Sequence, residues 1–282
     1  MPIQNIFSLA FLNGLNDMNK TILNVKNLEC DFLIEKNIFK ENIYLKAINN
    51  LSFEIRSGIT LGIVGESGCG KSTLCRTILS LNKKKSGTIS WFNKDIDNYT
   101  NKELKEFRRK VQIIFQNPYE SLNPRMTIGN IISEPLNIFQ NNLARKDKVF
   151  KVIETMQKVG LSEILFNRYP HELSGGQCQR VGIARAIIND PEILICDEPV
   201  SSLDLSVQSQ ILNLLNDLKD NLNLTMIFVS HDLSVVKNIS DEVMVLKEGK
   251  MIEYGLVNSI FNSPQNIYTK ELISSVPSPI PV

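Results

Sequence analysis

A glycine-rich stretch just before residue 73 has the residue types and the spacing that suit binding of phosphate groups. It runs Gly65, Glu66, Ser67, Gly68, Cys69, Gly70, Lys71, Ser72. This order fits the pattern G-x-x-x-x-G-K-[ST] of a P-loop at every fixed position. The glycines allow a tight turn whose backbone N–H groups point at phosphate oxygens. We therefore expect Lys71 to pair with the β- and γ-phosphates of a nucleotide and Ser72 to coordinate Mg²⁺.

An acidic pair, Asp197 and Glu198, follows the apolar run Ile193 to Cys196. The carboxyl end of a buried strand is where parallel α/β sheets place groups that face a ligand. We expect Asp197 to hold the water shell of the metal and Glu198 to polarise the attacking water as general base. A solvated acidic turn is the alternative, and Pro199 with the following run Ser201 to Asp204 argues against it.

Two further polar residues follow apolar runs. His231 comes just after the run Met226 to Val229, and Gln116 comes directly after the run Val111 to Phe115. We expect His231 to contact the γ-phosphate and to hold the general base and the water in line. We expect Gln116 to reach the Mg²⁺ and the water. The alternative for each is an ordinary surface or core side chain, and for His171 that structural interpretation is the favoured one.

Adenine needs a stacking partner that a P-loop does not supply, and an aromatic side chain upstream usually provides it. Phe32 is the predicted partner, with Tyr44 and Phe39 as rivals. Each of these three aromatic residues could equally belong to the core.

The elements that position these residues follow from the apolar pattern. Thr60 to Val64 is typical of a short buried strand, and Thr73 to Leu81 has apolar residues at helical spacing. Strand, glycine-rich turn and helix in this order are the context that a P-loop requires. Lys148 to Val159 also has helical spacing and indicates a mainly helical insertion between two halves of a sheet domain. Val243 to Leu246 and Met251 to Tyr254 are predicted to form a hairpin.

The segment Ile22 to Ile55 indicates short strands, with a turn-rich break near Glu35 to Asn42. Farther along, Val207 to Leu218 carries apolar residues on one face of a predicted amphipathic helix.

The bulk composition excludes several classes of protein. A chain of 282 residues with 43% apolar content can form one large domain or two modest ones, and its net charge of +1 creates no global field for nucleic acid or a membrane surface. The five cysteines contain no CxxC pair, so neither a disulfide framework nor a zinc site is predicted, and a reducing cytoplasm fits best. No apolar run reaches the ~18 residues of a membrane helix. Residues 1–21 are predicted to be a disordered or dispensable tail without a signal peptide.

The pentapeptide LSGGQ at residues 173–177 completes a set of motifs in a known order. The set comprises a P-loop at Gly65 to Thr73, Gln116, a signature at Leu173 to Gln177, an acidic strand at Ile193 to Glu198, a D-loop at Ser202 to Asp204, and His231. Together, over about residues 22–275, these motifs resemble the ATP-binding cassette (ABC) ATPases.

Four longer strings are similar to one branch of that family, the ATPase subunits of oligopeptide and dipeptide importers, with nickel importers as relatives. They are FQNPYESLNPR at 115–125, YPHELSGGQCQR at 169–180, EPVSSLDLS at 198–206 and YTKELISSVP at 268–277. They look most like the second ATPase subunit of the importer's pair, the "F" type. Cys178 departs from the family, which usually has a longer residue there, and we expect little effect from it.

The resemblance implies a fold and a set of site residues. The fold is α/β, a P-loop NTPase (RecA-like) core with an antiparallel β subdomain and a helical ABC-specific subdomain. The nucleotide-binding domain is expected at 22–265, with the helical and signature subdomain at 118–180 and an importer-type tail at 266–282. The implied nucleotide contacts are Phe32, Gly65 to Thr73, Ser174, Gly175, Gly176, Gln177 and Asp204. The implied catalytic residues are Glu198, His231 and Gln116, and the implied Mg²⁺ ligands are Ser72, Gln116 and Asp197.

The resemblance also implies partners and cofactors. Two cassettes pack head to tail, so the signature touches ATP in the site of a second, related ATPase. Two transmembrane permeases at the cytoplasmic face of the cell membrane and, indirectly, an extracytoplasmic binding protein complete the importer, and no nucleic acid is involved. ATP and Mg²⁺ are expected; an iron–sulfur cluster is not, because no cysteine follows Cys196. Nickel or another small solute as cargo, and a soluble cassette ATPase without transport, are the alternatives left open.

Overall fold

The computed structural model describes residues 20–35 and 43–275. Residues 1–19 of the predicted N-terminal tail, and Phe39 among the predicted adenine partners, lie outside the described residues. The described residues form two compact units. The first unit contains the described residues up to Tyr99 and those from Ser240 onward, and the second contains Thr100 to Ile239.

The strands of the described residues, in chain order, are β1 (Thr21–Glu35), β2 (Ile43–Arg56), β3 (Thr60–Val64), β4 (Ser86–Trp91), β5 (Lys94–Asp95), β6 (Val111–Ile114), β7 (Ile193–Asp197), β8 (Thr225–Val229), β9 (Glu242–Lys247) and β10 (Lys250–Leu256). The helices are α1 (Lys71–Ile78), α2 (Asn101–Lys110), α3 (Pro118–Ser121), α4 (Ile128–Phe139), α5 (Arg145–Lys158), α6 (Gly175–Ile187), α7 (Leu205–Leu222), α8 (Leu233–Ile239), α9 (Val257–Asn262) and α10 (Ile267–Ser274). Short 3₁₀ turns lie at Ile96–Asn98, Glu163–Asn167 and Pro170–Glu172.

The first unit contains an antiparallel sheet in the order β2-β1-β4-β5. Its strands β1 and β2 are longer than the short strands that the sequence predicts, because register shifts within their pairing let them continue. Asn27 and Asn50 take positive φ angles of 49° and 52° near these irregularities. Trp91 on β4 is fully buried and its indole Nε1–H donates to the carbonyl of Ile78 at 2.8 Å, which attaches the end of α1 to this sheet.

A second group of strands in the first unit carries the P-loop. Strand β3 pairs in parallel with β9, and β9 pairs antiparallel with β10. The turn between β9 and β10 has positive φ at both Glu248 (48°) and Gly249 (74°), as a two-residue type I′ hairpin requires. The predicted hairpin is therefore confirmed.

The second unit is built on three parallel strands, β6, β7 and β8, with β7 in the middle. Every residue of β7 and β8 is buried, which is the pattern of parallel strands covered on both faces. Helices α4, α5 and α6 pack on one another in the region where the sequence predicts a helical insertion. None of the helices in the described ranges has the length and apolar character needed to cross a membrane.

Candidate active site

The P-loop in the first unit has a shape that requires glycine at two positions. A Cβ on Gly65 would lie 2.2 Å from the carbonyl oxygen of Leu246, and one on Gly70 would lie 2.4 Å from that of Ala47. Gly70 also has a φ of 108° and precedes the first residue of α1, Lys71. The chain thus turns sharply from the buried strand β3 into a helix N-terminus, a geometry that suits an anion.

Lys71 is the charged group of this loop. It is only 4% exposed, and its Nζ donates to the carbonyl oxygens of Gly65 at 2.7 Å and Glu66 at 2.9 Å. Because these bonds hold the Lys71 ammonium in place beside the loop backbone, the loop has the donor set that nucleotide phosphates need. The nearby Cys69 is buried, and this burial raises the pKa of its thiol although the Lys71 charge acts in the opposite direction.

Glu198 in the second unit has an unusual backbone. It follows the last residue of β7 with a φ of +48°, which is uncommon for a residue other than glycine. Its N–H donates to the carbonyl of Val229, the last residue of β8, at 3.0 Å. Left-handed conformations of this kind cost of order 1–3 kcal/mol and cluster at functional sites.

The Glu198 carboxylate is held by the two other predicted catalytic residues. Its Oε2 accepts a hydrogen bond from Gln116 Nε2 at 3.0 Å and lies 3.2 Å from His231 Nδ1. The Glu198 side chain is 13% exposed, whereas that of His231 is 56% exposed. This contact is a hydrogen bond when His231 Nδ1 carries a proton and donates it to the carboxylate oxygen. The ends of β6, β7 and β8 thus bring together three residues that are distant in the sequence, while their catalytic roles stay predictions.

The predicted metal ligands have oxygen donors, which Mg²⁺ prefers. Asp197 is 2% exposed at the end of β7. Ser72 lies in the first turn of α1. In the two described ranges, no group of three or more His, Cys, Asp or Glu side chains could hold a metal ion. Mg²⁺ is usually bound through one or two carboxylates plus substrate phosphates, so a single Asp fits this ion, and the assignment stays a prediction.

The signature residues form the start of α6. The Ser174 hydroxyl accepts from the Gln177 N–H at 3.3 Å, and the Gln177 side chain accepts from the Ser174 N–H at 3.0 Å, a capping box. A Cβ on Gly176 would lie 2.6 Å from Val207 Cγ1 on α7, whereas one on Gly175 would meet its nearest atom at 3.5 Å. Gly176 therefore allows α6 and α7 to approach closely, a role that the sequence analysis missed.

Asp204 of the predicted D-loop is the N-cap of α7. Its Oδ1 accepts from the backbone N–H of Ser206 at 3.1 Å and of Val207 at 2.9 Å. The hydrogen bond from the Ser206 hydroxyl, at 2.6 Å, is the main cause that lowers the pKa of this carboxyl. Its predicted contact with nucleotide stays a prediction.

The predicted adenine partners are partly exposed, and the two remaining side chains singled out in the sequence, His171 and Cys178, have structural surroundings. Phe32 and Tyr44 lie on β1 and β2 and are 40% and 54% exposed, so both rings stay available for stacking. His171 stacks on Tyr169 with ring centroids 5.8 Å apart, which suits its structural interpretation. Cys178 is buried, and burial raises the pKa of its thiol to about 11.

One residue at the P-loop was missed by the sequence analysis. The hydroxyl of Tyr268, on α10, accepts a hydrogen bond from the backbone N–H of Glu66 at 3.3 Å. The predicted importer-type tail begins at residue 266, and no local pattern in it signals a contact with a loop 202 positions earlier.

Comparison with known proteins decides the family. The model of the family described as ABC transporter matches residues 48–201. The chain belongs to this ABC transporter family. It is 46% identical over 273 residues to the oligopeptide transport ATP-binding protein OppF of Salmonella typhimurium, covering 96% of this chain and 82% of the relative. It is also 46% identical over 261 residues to the dipeptide transport ATP-binding protein DppF of Haemophilus influenzae, covering 92% and 79%.

Solved structures of ABC cassettes share the fold. The post-hydrolysis dimer of the ATP-binding cassette MJ0796 bound to ADP and Pi has a TM-score of 0.74 and 28% identity, covering 84% of this chain and 99% of that one. CbiO1 from Clostridium perfringens, part of the ABC transporter complex cbiONQ, has a TM-score of 0.73 and 30% identity, covering 87% and 92%. The predicted fold class, a P-loop NTPase core with an antiparallel β subdomain and a helical ABC-specific subdomain, is confirmed.

Proposed function

We propose that this ABC protein is the ATP-hydrolysing subunit of an importer that takes up oligopeptides or dipeptides. The observation that carries the proposal is the set of relatives that cover nearly the whole chain. The relatives include oligopeptide transport proteins of Salmonella typhimurium and Bacillus subtilis, at 46% and 44% identity, each over 94% or more of this chain.

The P-loop would bind the phosphates of ATP. Lys71 exchanges its contacts with the loop carbonyls for the β- and γ-phosphates, and the backbone N–H groups at the start of α1 donate to phosphate oxygens. Ser72, Gln116 and Asp197 would hold Mg²⁺, which neutralises charge on the phosphates when it is bound. Phe32, with Tyr44 as its rival, would stack on the adenine.

Glu198 would act as the general base of hydrolysis. Its carboxylate accepts the proton of the attacking water, and the hydrogen bonds from Gln116 and His231 orient it. These neighbours bond to Oε2, which leaves the other carboxylate oxygen, Oε1, as the natural acceptor for the water proton. His231, whose side chain is more exposed than that of Glu198, would also contact the γ-phosphate.

The assembly would contain further subunits. A second, related ABC ATPase would supply the signature that faces this chain's ATP, and Ser174, Gly175, Gly176, Gln177 and Asp204 would serve the partner's site in return. Two transmembrane permeases would hold the pair at the cytoplasmic face of the cell membrane, and an extracytoplasmic binding protein would deliver the cargo. The domain limits at 22–265, 118–180 and 266–282 belong to the same proposal.

Two measurements test the function and the partners. In a strain that lacks the gene, uptake of labelled dipeptides and oligopeptides should be lost, and it should return with the wild-type gene but not with a Lys71→Ala gene. Normal peptide uptake together with lost nickel uptake would show that the cargo is nickel and not peptides.

A pull-down from detergent-solubilised membranes should recover two permeases and a second ABC ATPase, whereas recovery of ribosomal proteins alone would contradict transport.

A further inference from the structure

Helix α10 places one buried hydroxyl against the backbone of the P-loop. The Tyr268 hydroxyl accepts from the N–H of Glu66 at 3.3 Å, and the carbonyl of the same Glu66 accepts from Lys71 Nζ at 2.9 Å. Tyr268 itself is 7% exposed. A side chain outside the loop therefore fixes the residue whose carbonyl anchors the P-loop lysine.

Tyr268 is held both at its ring and at its backbone N–H. Lys247 Nζ, at the end of β9, lies 4.4 Å from the ring centroid, a distance suited to a cation–π contact. Asn266 caps α10, and its side chain accepts from the Tyr268 N–H at 2.9 Å. The contact of Lys247 with the ring and the cap of Asn266 on the backbone thus both limit where the Tyr268 hydroxyl can lie.

The start of α10 is tied in turn to strand β10. The Glu253 carboxylate accepts from the backbone N–H groups of Gln265 at 2.8 Å and Asn266 at 3.1 Å. Strand β10 pairs with β9, and β9 pairs with β3, the strand that leads into the P-loop. The helix that carries the Tyr268 hydroxyl is therefore attached to the same strands that support the loop.

The chemistry of the hydroxyl suits a fixed contact. Burial raises the pKa of Tyr268, and the nearby Glu66 carboxylate raises it too, while the hydrogen bond from the Glu66 N–H acts in the opposite direction. The phenol therefore stays neutral at physiological pH and keeps its lone pairs available to the Glu66 N–H.

We propose that Tyr268 is a positioning residue for nucleotide binding, whose hydroxyl holds Glu66 so that the P-loop is preformed to receive phosphates. A loop that is already ordered loses less conformational entropy when its ligand binds. The hydrogen bond acts on the phosphate-binding loop, so its loss should weaken nucleotide affinity and leave the catalytic rate constant nearly unchanged. This inference rests on the proposed ATPase function.

The test is Tyr268→Phe, which removes the hydroxyl and keeps the ring. We expect the Kd for ADP, titrated with Mg²⁺ present on the purified full chain, to rise about two- to tenfold, the range of one net hydrogen bond. In the assembled transporter, the KM for ATP should rise by a similar factor and kcat should stay within about twofold of wild type.

The matched control is Tyr99→Phe, which removes a hydroxyl of the same unit that donates to the Trp91 carbonyl at 2.8 Å. Thermal unfolding by circular dichroism should change similarly in both variants, and only Tyr268→Phe should weaken ADP binding. Equal Kd values in wild type and Tyr268→Phe would overturn the inference, as would equal weakening in both variants. Because ADP titration needs no hydrolysis, an inactive wild-type assembly would count against the proposed function alone.

Discussion

A carboxylate that is contacted by two neighbouring side chains can be oriented for catalysis. Both neighbours of Glu198, Gln116 Nε2 and His231 Nδ1, approach the same oxygen, Oε2. The positive φ of Glu198 adds a backbone conformation that only a well-packed surrounding maintains. Strand β7 is buried along its whole length, which provides that support.

The variant Glu198→Gln should separate binding from hydrolysis. The amide is isosteric but cannot accept the proton of water, so we expect ATP turnover of the assembled transporter to fall at least about tenfold, ~1.4 kcal/mol in the barrier. ATP affinity should persist because the P-loop is unchanged. Glu192→Gln, which removes only a partly exposed ion pair with Lys110, is the control. Near-normal turnover of Glu198→Gln, measured with the partner's site inactivated, would remove Glu198 from the role of general base.

At the scale of elements, the close approach of α6 and α7 depends on one glycine. Gly176→Ala should destabilise the protein by about 1–3 kcal/mol, because the added methyl meets Val207 Cγ1 at 2.6 Å and the packing must shift. Gly175→Ala has the same chemical change but ordinary contacts, and it should have a much smaller effect. Urea unfolding followed by circular dichroism measures both. Equal losses in the two variants would mean that the contact with Val207 does not limit the packing.

The N-cap of α7 gives a dependence of stability on pH. The pKa of Asp204 is lowered, first by the Ser206 hydroxyl and then by the Val207 N–H, so its folded value lies below the unfolded value of ~3.9. The stabilisation is therefore present above about pH 4 and is lost as pH falls through the folded pKa. Asp204→Asn keeps an oxygen that can cap α7, but it lacks the carboxylate charge that favours a helix N-terminus and it does not titrate.

We expect wild type to exceed Asp204→Asn in free energy of unfolding at pH 6, and this difference to shrink below about pH 3.5. Urea titrations at both pH values measure it. Asp220→Asn, an exposed change on the same helix, is the control for a general effect of charge. A difference that is independent of pH would show that the cap does not favour the ionised carboxyl.

Local pattern was enough to predict the elements that hold the site. A few consecutive residues were enough to recognise each of three features: the strand Thr60 to Val64, the glycines after it, and the acidic pair after β7. The contacts of Gly176 with Val207 and of Tyr268 with Glu66 could not be predicted in this way, because they join segments 31 and 202 positions apart, as the numbering shows. The irregular pairing of β1 with β2 likewise depends on both strands at once.

At the scale of the whole molecule, the P-loop and the signature should serve different ATP molecules. Within this chain, the Ser174 hydroxyl accepts from the Gln177 N–H and the Gln177 side chain accepts from the Ser174 N–H, while Lys71 is anchored within its own loop. If the signature acts on the partner's nucleotide, the Ser174 hydroxyl does not touch the ATP bound by this chain's own P-loop. Ser174→Ala should then leave the ATP affinity of the isolated chain within about twofold of wild type, well short of the tenfold change that corresponds to 1.4 kcal/mol.

Lys71→Ala should weaken ATP binding by the isolated chain at least about tenfold, because it removes a charge-assisted contact with phosphate. In the assembled transporter both variants should lower ATP turnover, each through a different composite site. Ser174→Ala also loses the N-cap of α6, which costs about 1 kcal/mol, so thermal unfolding must show that it remains folded at the assay temperature. A folded Ser174→Ala chain that binds ATP as poorly as Lys71→Ala would place the signature on the chain's own nucleotide and would exclude the head-to-tail arrangement.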